Sequence, residues 1–564
     1  CSALPAQTKL DHIWLFGYAN EADTIPHFGG SVMDFTGDTL QLYKQEREMP
    51  FKQTNSSICD TAGNLLFYTN GVYLANAQHD TIPGGGCCLN PNGLVGGVEG
   101  HKLPQGTLIL PYPGHPGEYM VLHEGVMLVT LDVLRAFGGP LYYTHVDMNA
   151  NDGKGIVLEK NVPLLVDTLD FGKITATRHA NGRDWSIAVK DYRAPLFNTL
   201  LLSDEGITVD SQVLEDSYGS GLGQAKFSND GNYYANITLN PLDFGCAAEI
   251  LQFDRCSGTF SDPVYIPVTC NILSAGLAFS SNSRFLYLLA NTEIYQVDLW
   301  SDDLAASLDT VAVYDGYEEP IPGFDDLALS TQFFMAQLAP DGKIYINTTN
   351  SVRSLHVINA PDLPGDSCDV QQHSLQLPTL NAFSLPNFPN YSLGELPGSP
   401  CDTLGPLAGF SAIPAGLSVA FSDESLRSPA AWSWNFGDGS TSTAASPVHT
   451  YAAEGAYEVC LSVSNAYGTD TLCKTVEVML SSTAEALAAG QLLLYPNPAS
   501  GQFHLRLPAG WQPQGLELYY SNGQLARRYA PGKAGYSLEG LPAGAYFLRL
   551  VWDGGARVVK LSVQ

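Results

Sequence analysis

Asp147-Met-Asn-Ala-Asn-Asp-Gly-Lys-Gly155 sets side-chain oxygens at Asp147, Asn149, Asn151 and Asp152, with Glu159 a little further on. Oxygens at near-alternating loop positions suit a hard cation, which takes about 6–8 of them in the case of Ca²⁺. Calcium is therefore the candidate cofactor. The glycine and the glutamate both fall one place off the spacing of a helix-flanked calcium loop, so a solvated turn is the competing reading. A second group is His115, His123, His145 and His179, with Asp147, Arg178, Arg183 and Asp184 near them in sequence. Loops gathered at one face of a fold would bring these to a polar pocket able to do acid–base or metal chemistry. Cross-strand polar contacts are the plainer alternative. Gly219-Ser-Gly-Leu-Gly223 is glycine-rich but leads into a strand-like run, which offers a phosphate no helix N-terminus. G-x-S-x-G, H-E-x-x-H and P-loop patterns are absent. No residue is assigned a catalytic role.

The 11 cysteines stand at 1, 59, 87, 88, 246, 256, 270, 368, 401, 460 and 473, never in the paired C-x-x-C arrangement of a structural zinc site. Isolated cysteines in an exported chain point to disulfides. Cys460 and Cys473 flank the turn at 464–468 almost symmetrically, so a hairpin would join them. Cys246 and Cys270 bracket two strands connected through Arg255-Cys256-Ser257-Gly258. Cys87 and Cys88 have each other or Cys59 as partners. An odd total leaves at least one cysteine free, removed or intermolecular.

The elements that must position these residues are strands. Gly (55) and Pro (35) supply turns, and Tyr (28) with Phe (24) supplies strand-forming aromatics. A chain of 564 residues exceeds one core and predicts two to four domains. Hydrophobic content of 45% with 15% charged residues excludes a disordered chain. The formal charge of −30 argues against nucleic acid and anionic lipid as partners. No apolar run reaches the ~20 residues of a membrane span. Residues 1–8 are expected to be the remnant of a secretory signal, with a lipid-anchored Cys1 as the rival reading.

A turn carrying Gly or Asn, followed by an alternating aromatic strand, recurs at positions 63, 117, 182, 231, 282 and 342, 49 to 65 residues apart. Periods near 40–50 residues with several strands each are the pattern of a β-propeller. The chain is thus expected to be all-β, with a propeller of about seven blades over 9–397; six or eight blades stay open. Leu65-Leu-Phe-Tyr-Thr-Asn-Gly71, Arg178-His-Ala-Asn-Gly-Arg-Asp-Trp185, Gln337-Leu-Ala-Pro-Asp-Gly-Lys-Ile-Tyr345 and Leu385-Pro-Asn-Phe-Pro389 resemble propeller domains found beside surface modules in gliding and biofilm-forming bacteria. That resemblance implies a fold and a setting, not a chemistry.

Trp434-Asn-Phe-Gly-Asp-Gly439 with His449-Thr-Tyr451 resembles a PKD domain, an immunoglobulin-like sandwich expected over 402–480. Residues 481–490 read as a linker. Tyr495-Pro496-Asn497-Pro498, Leu541-Pro-Ala-Gly-Ala-Tyr546 and the closing run Val558-Val-Lys-Leu561 resemble a type A C-terminal sorting domain of type IX secretion, a small β-sandwich over 491–564. The resemblance implies the type IX machinery as a partner, and export through the periplasm to the outer surface. Asp-Thr followed by an aliphatic residue resembles the O-glycosylation acceptor of bacteria that use this route, which points to Thr24, Thr39, Thr61, Thr81, Thr168, Thr310, Thr403 and Thr471. The expected function is a non-catalytic surface or matrix protein that binds polysaccharide, another surface protein or itself. The alternative is an extracellular hydrolase or lyase with its site at the propeller mouth.

Overall fold

The computed structural model describes the chain apart from residues 1–7, 20–26, 90–99, 131–133, 193–194, 216, 218–220, 241–244, 270–275, 322, 325, 480–492, 496, 498, 500, 508–512, 521–524, 534, 543, 553–554 and 564. The described residues are almost wholly strands and turns, with two short 3₁₀ segments, Asn151–Gly153 and Gly365–Cys368. None of their helices is long and apolar enough to cross a membrane. The chain forms two compact units. The first comprises Cys1–Gly409, Glu424–Ala431 and Ser462–Thr471; the second comprises Phe410–Asp423, Trp432–Leu461 and Leu472–Gln564.

In the first unit, antiparallel sheets follow one another in chain order. Sheet 1 holds Ile13–Gly17, Gly30–Asp34 and Gln41–Gln45, and sheet 2 holds Ser56–Cys59, Leu65–Thr69 and Leu74–Asn76. Five four-stranded sheets come next, opened by Thr107–Pro111 (sheet 3), Thr175–Arg178 (sheet 4), Ala225–Phe227 (sheet 5), Gly276–Phe279 (sheet 6) and Phe333–Leu338 (sheet 7). A two-stranded ribbon, Glu318–Pro320 with Ala328–Ser330, lies between the last two. The six recurring turns of the sequence are the first hairpins of sheets 2 to 7. Gly182 and Gly231 hold left-handed φ of 71° and 75° in two of them. A Cβ at Gly231 would meet Thr177 Oγ1 at 2.5 Å, so glycine is required there for space as well as for conformation.

The opening strands are the most deeply buried. Sheet 1 begins with five buried residues in a row, Ile13–Gly17, and sheet 6 with four, Gly276–Phe279. Outer strands such as Gly206–Val213 are largely exposed. Opening strands of successive sheets lie side by side, and Gln105 bridges to Lys173 between sheets 3 and 4. The last strand of sheet 7, Val370–Ala382, packs on sheet 1. There Thr379 N–H donates to Ser31 Oγ at 2.9 Å and Leu380 N–H to His27 O at 2.8 Å. Trp14 of sheet 1 packs its ring 5.9 Å from Tyr345 of sheet 7. Contacts at this sequence separation cost loop entropy, which the shared apolar core offsets.

A sandwich occupies 410–478, with sheets Phe410–Ala415/Ser418–Asp423/Val448–Thr450 and Thr441–Ser442/Ala431–Asn435/Gly455–Asn465/Gly468–Val478. Trp434, Phe436, Phe421 and Tyr451 fill its core. The spacing of the Trp434–Gly439 element and His449 has a direct physical cause. His449 stacks on Phe436 with 4.2 Å between ring centroids, and its Nε2 lies 2.7 Å from Asp438 Oδ2. Burial raises the Asp438 pKa, but bonds from His449 and from Ser440 N–H outweigh it and hold the carboxyl below its ordinary value. Its contribution is present above the usual Asp range and lost as pH falls through the lowered value. His449→Ala is expected to cost the sandwich about 1–3 kcal/mol by removing both contacts; amide exchange over 431–463 reads this out, and unchanged protection would refute the role given to His449.

The C-terminal region has a three-stranded sheet (Leu493–Tyr495, Gln502–Arg506, Tyr536–Ser537) and a four-stranded one (Leu525–Tyr529, Gly515–Tyr520, Gly544–Trp552, Gly555–Val563). Phe503, Leu518, Leu548 and Leu561 are among its fully buried residues.

Candidate functional site

Beyond Ala382 the chain runs as Ser384-Leu-Pro-Asn-Phe-Pro-Asn390, alongside the opening strands. Its two prolines exclude a helix and weaken any ladder, so the backbone stays extended and side chains meet the polar groups around it. Asn387 Nδ2 donates to the carbonyls of Thr107 (3.0 Å) and Ile174 (2.9 Å). Its Oδ1 accepts from Gln105 Nε2 (3.0 Å) and Lys226 Nζ (3.1 Å), and its backbone N–H bonds Asn55 O (3.0 Å). One buried asparagine, through its side chain and its backbone N–H, therefore ties together the opening strands of sheets 2 to 5, or the residues that lead into them. Tyr391 OH reaches Ile109 O at 2.7 Å, and Phe388 packs 6.0 Å from Trp14.

Where this segment emerges, a cavity of about 910 Å³ opens among the first hairpins of sheets 5, 6 and 7. That is the size of a small-ligand site. Asn229, Asn282 and Asn390, with Ser281 and Ser283, give it amides and hydroxyls; Phe227, Phe279 and Phe388 give it aromatic surface. Asp11, Asp230 and Glu395 also line it. Their oxygens are engaged locally: Asp230 accepts from Ser228 Oγ and Asn232 N–H, Glu395 from Arg427 N–H, and Asp11 lies 3.1 Å from His12 Nδ1. One wall is the strap 393–397, which Arg255 holds by donating to Gly394 O and which Leu396 N–H fastens to Ala180 O at 2.8 Å. Cys401, just beyond, is disulfide-bonded to Cys256 in the last hairpin of sheet 5, between Gly245–Asp254 and Thr259–Val268.

Lys226 sits at the cavity floor, 7% exposed. Its Nζ donates to Gln337 Oε1 (2.6 Å), Asn387 Oδ1 (3.1 Å) and Phe388 O (3.3 Å). Burial pulls its pKa down to about 7. The other buried lysines among the described residues have carboxylates, Lys173 with Asp170 and Lys190 with Glu249, each at 3.0 Å.

The residues singled out in the sequence lie elsewhere. Asp147 Oδ1 caps the N–H of Asn149 at 2.8 Å, Asn149 Nδ2 donates to Pro116 O, and Asn151 donates towards Gly155 O. Asp152 occupies the left-handed region at φ 55°. No group of three or more His, Cys, Asp or Glu able to hold a metal ion occurs among the described residues. The histidines do not converge on one pocket. His115 and His145 meet around Glu118, at 3.9 and 2.7 Å, with Tyr112 stacked 4.1 Å from His115. His123 is buried on the other face of sheet 3 against Thr144, its pKa lowered to about 3 by burial and by His101 and Lys160. His179 bonds Cys256 O, and Arg183 bridges Asp184 and Asp204. The loop at 219–223 precedes the strand Ala225–Phe227; its residues 219 and 220 lie outside the described ones.

Cys460 and Cys473 are bonded across their hairpin, and Cys87 is bonded to Cys88. Cys59, the other partner considered for that pair, is free and buried, as is Cys368. Cys246 is disulfide-bonded; Cys270 lies outside the described residues. Of the threonines in the Asp-Thr motifs, Thr39, Thr61, Thr81, Thr310, Thr403 and Thr471 are exposed and Thr168 is half-buried, while Thr24 lies outside the described residues. Asn497 locks to the final strand, donating to Lys560 O (2.9 Å) and accepting from Ser562 N–H (2.8 Å). Tyr495 stacks on His504, and Pro496 and Pro498 are outside the description. Sequence reasoning missed Lys226 as a site residue and the Cys256–Cys401 bond. Two unpaired landmarks were present in the sequence: Cys401 at a domain boundary, and a lone lysine in an otherwise neutral strand.

A family model for the PKD domain matches residues 410–480. This segment is a PKD domain. A stretch of 128 residues is 31% identical to the microbial collagenase of Vibrio alginolyticus, covering 19% of this chain and only 16% of the collagenase. The PKD1 domain of Vibrio anguillarum Epp is 29% identical and matches over 14% of this chain and 98% of its own length, with a TM-score of 0.14. The PKD1 domain of the Vibrio cholerae metalloprotease PrtV is 34% identical over 14% of this chain and 99% of its own, with a TM-score of 0.13. PKD domains occur in extracellular proteins, secreted proteases among them.

Proposed function

We propose that this chain is an extracellular binding protein whose N-terminal unit is a β-propeller of about seven blades holding a polyhydroxylated ligand, a polysaccharide end, in the pocket at its hairpin face. The observation that carries this reading is the pocket's lining, in which amides and hydroxyls on successive hairpins surround aromatic surface, the combination that grips a sugar's hydroxyls and its apolar faces. The propeller reading is supported by the serial sheets, the side-by-side opening strands, the packing of the last sheet on the first, and a chain segment threaded among them. The PKD domain is the spacer or a second contact. Residues 491–564 are the type IX sorting domain, a reading supported by the Asn497 lock that joins the Tyr495–Pro498 motif to the final strand. The exposed Asp-Thr sites are the proposed sugar acceptors.

Retention of the full chain on a panel of polysaccharides, with product release followed in the same samples, tests the proposal. Retention without release is expected, and Pro340→Trp, which adds bulk to the pocket wall without removing a hydrogen bond, is expected to weaken it at least tenfold. Sugar release would move the assignment to the hydrolase reading, with Asp11, Asp230 and Glu395 as its carboxylates. Retention unaffected by Pro340→Trp would place binding outside the pocket.

A further inference from the structure

Lys226 differs from its two buried counterparts in having only neutral oxygens around it. Lys173 and Lys190 each face a carboxylate and line no part of the cavity. Lys226 faces the cavity, and among the described residues no carboxylate lies within pairing distance of it. A buried ammonium without a counter-charge is costly, and the cost is relieved when an anion reaches it. The acidic residues of the rim do not supply that anion, since Asp230 is held by its own turn, Glu395 by the N–H of Arg427 and Asp11 beside the His12 imidazole. They do restrict what can enter: a densely charged polyanion is repelled, whereas a neutral body with a single carboxylate is not.

Building on the pocket reading above, we infer that the pocket selects a carboxylated sugar of the uronic-acid class, with the sugar body against Phe279 and the asparagine amides and its carboxylate on Lys226 Nζ. Gln337 lines the cavity beside Lys226, and its Oε1 is the neutral acceptor that the ligand carboxylate displaces. The new bond is a charge-assisted one in place of a neutral one, and such bonds are roughly twice as strong.

The experiment uses the full chain and three probes of one length: a trisaccharide of two galactoses and one terminal galacturonate, its methyl ester and neutral galactotriose, titrated by calorimetry. The acid is expected to bind at least tenfold more tightly than the ester or the neutral trisaccharide, with the gap shrinking as salt rises. Gln337→Glu supplies an internal carboxylate to Lys226; it is expected to raise the melting temperature and bring the three affinities within about threefold of one another. Equal binding of acid and ester by the wild-type chain would overturn the charge inference and leave the pocket reading standing. An acid preference that survives Gln337→Glu would place the recognition away from Lys226 and also overturn it. If none of the three binds, both readings fall.

Discussion

Asn387→Leu is expected to destabilise the N-terminal unit by roughly 2–4 kcal/mol, the largest loss from any single side chain discussed. The replacement is close in size, so little cavity forms. What is lost is the hydrogen bonding: the carbonyls of Thr107 and Ile174 each lose a donor, and Gln105 and Lys226 each lose an acceptor. Orphaned buried polar groups cost about 1–3 kcal/mol each; the Ile174 carbonyl loses its side-chain donor outright, whereas the Thr107 carbonyl keeps Ser56 Oγ at 2.9 Å. Gln105 keeps Ala225 O, and Lys226 keeps two acceptors, so those losses are smaller. Asn387→Asp separates the effects. It keeps the accepting oxygen that Gln105 and Lys226 share, adds a charge facing Lys226, and replaces the donor with a second acceptor. It should fall between wild type and Asn387→Leu. Chemical denaturation followed by tryptophan fluorescence measures both; Trp14 and Trp185 are fully buried in this unit. A loss under about 1 kcal/mol for Asn387→Leu would mean that the threaded segment is not a structural axis.

The second large effect is expected from the paired change Cys256→Ser, Cys401→Ser. The bond joins cysteines 145 residues apart and fastens the strap that forms one pocket wall. Closing a loop of that length restricts the unfolded chain strongly, and removal of a native disulfide typically costs about 2–4 kcal/mol. Three hydrogen bonds still hold the strap without it, Arg255 to Gly394 O, Leu396 N–H to Ala180 O and Arg427 N–H to Glu395, so the fold is expected to persist. The expected signature is a lowered melting temperature, faster proteolysis within 393–405, and a ligand affinity reduced severalfold. A melt matching that of the wild type would show that the strap is held by its hydrogen bonds alone. Cys460–Cys473 closes a hairpin of separation 13, and its loss should be the milder of the two.

How far the sequence could be read depended on whether an interaction was local. The hairpins were legible because each carries its own turn residue at its own apex, as Gly63, Gly182 and Gly342 do, followed by an alternating strand. The PKD motif was legible for a similar reason, since Phe436, Asp438 and His449 sit close in sequence and touch one another. The Cys460–Cys473 pair needed only the symmetry of one hairpin. By contrast, the groups around Lys226 lie at 337, 387 and 388, more than a hundred residues away, and nothing in Gln224-Ala-Lys-Phe227 marks a site. Leu385-Pro-Asn-Phe-Pro389 was noticed as a resemblance, but its place among the opening strands depends on five separate sheets. The histidines illustrate the reverse case, in which closeness in sequence does not mean a shared site. His115, His123 and His145 share one stretch of chain, yet strand alternation sends His123 to the opposite face from His145.

The most direct test of the central claim is hydrogen exchange of the full chain with and without a polysaccharide that it retains. Slower exchange is predicted in the hairpins at 228–231, 280–283 and 339–342 and in the strap at 393–397, with little change on the outer strands. Protection confined to the PKD domain or to the C-terminal region, with those hairpins unaltered, would contradict the assignment of the pocket as the binding site.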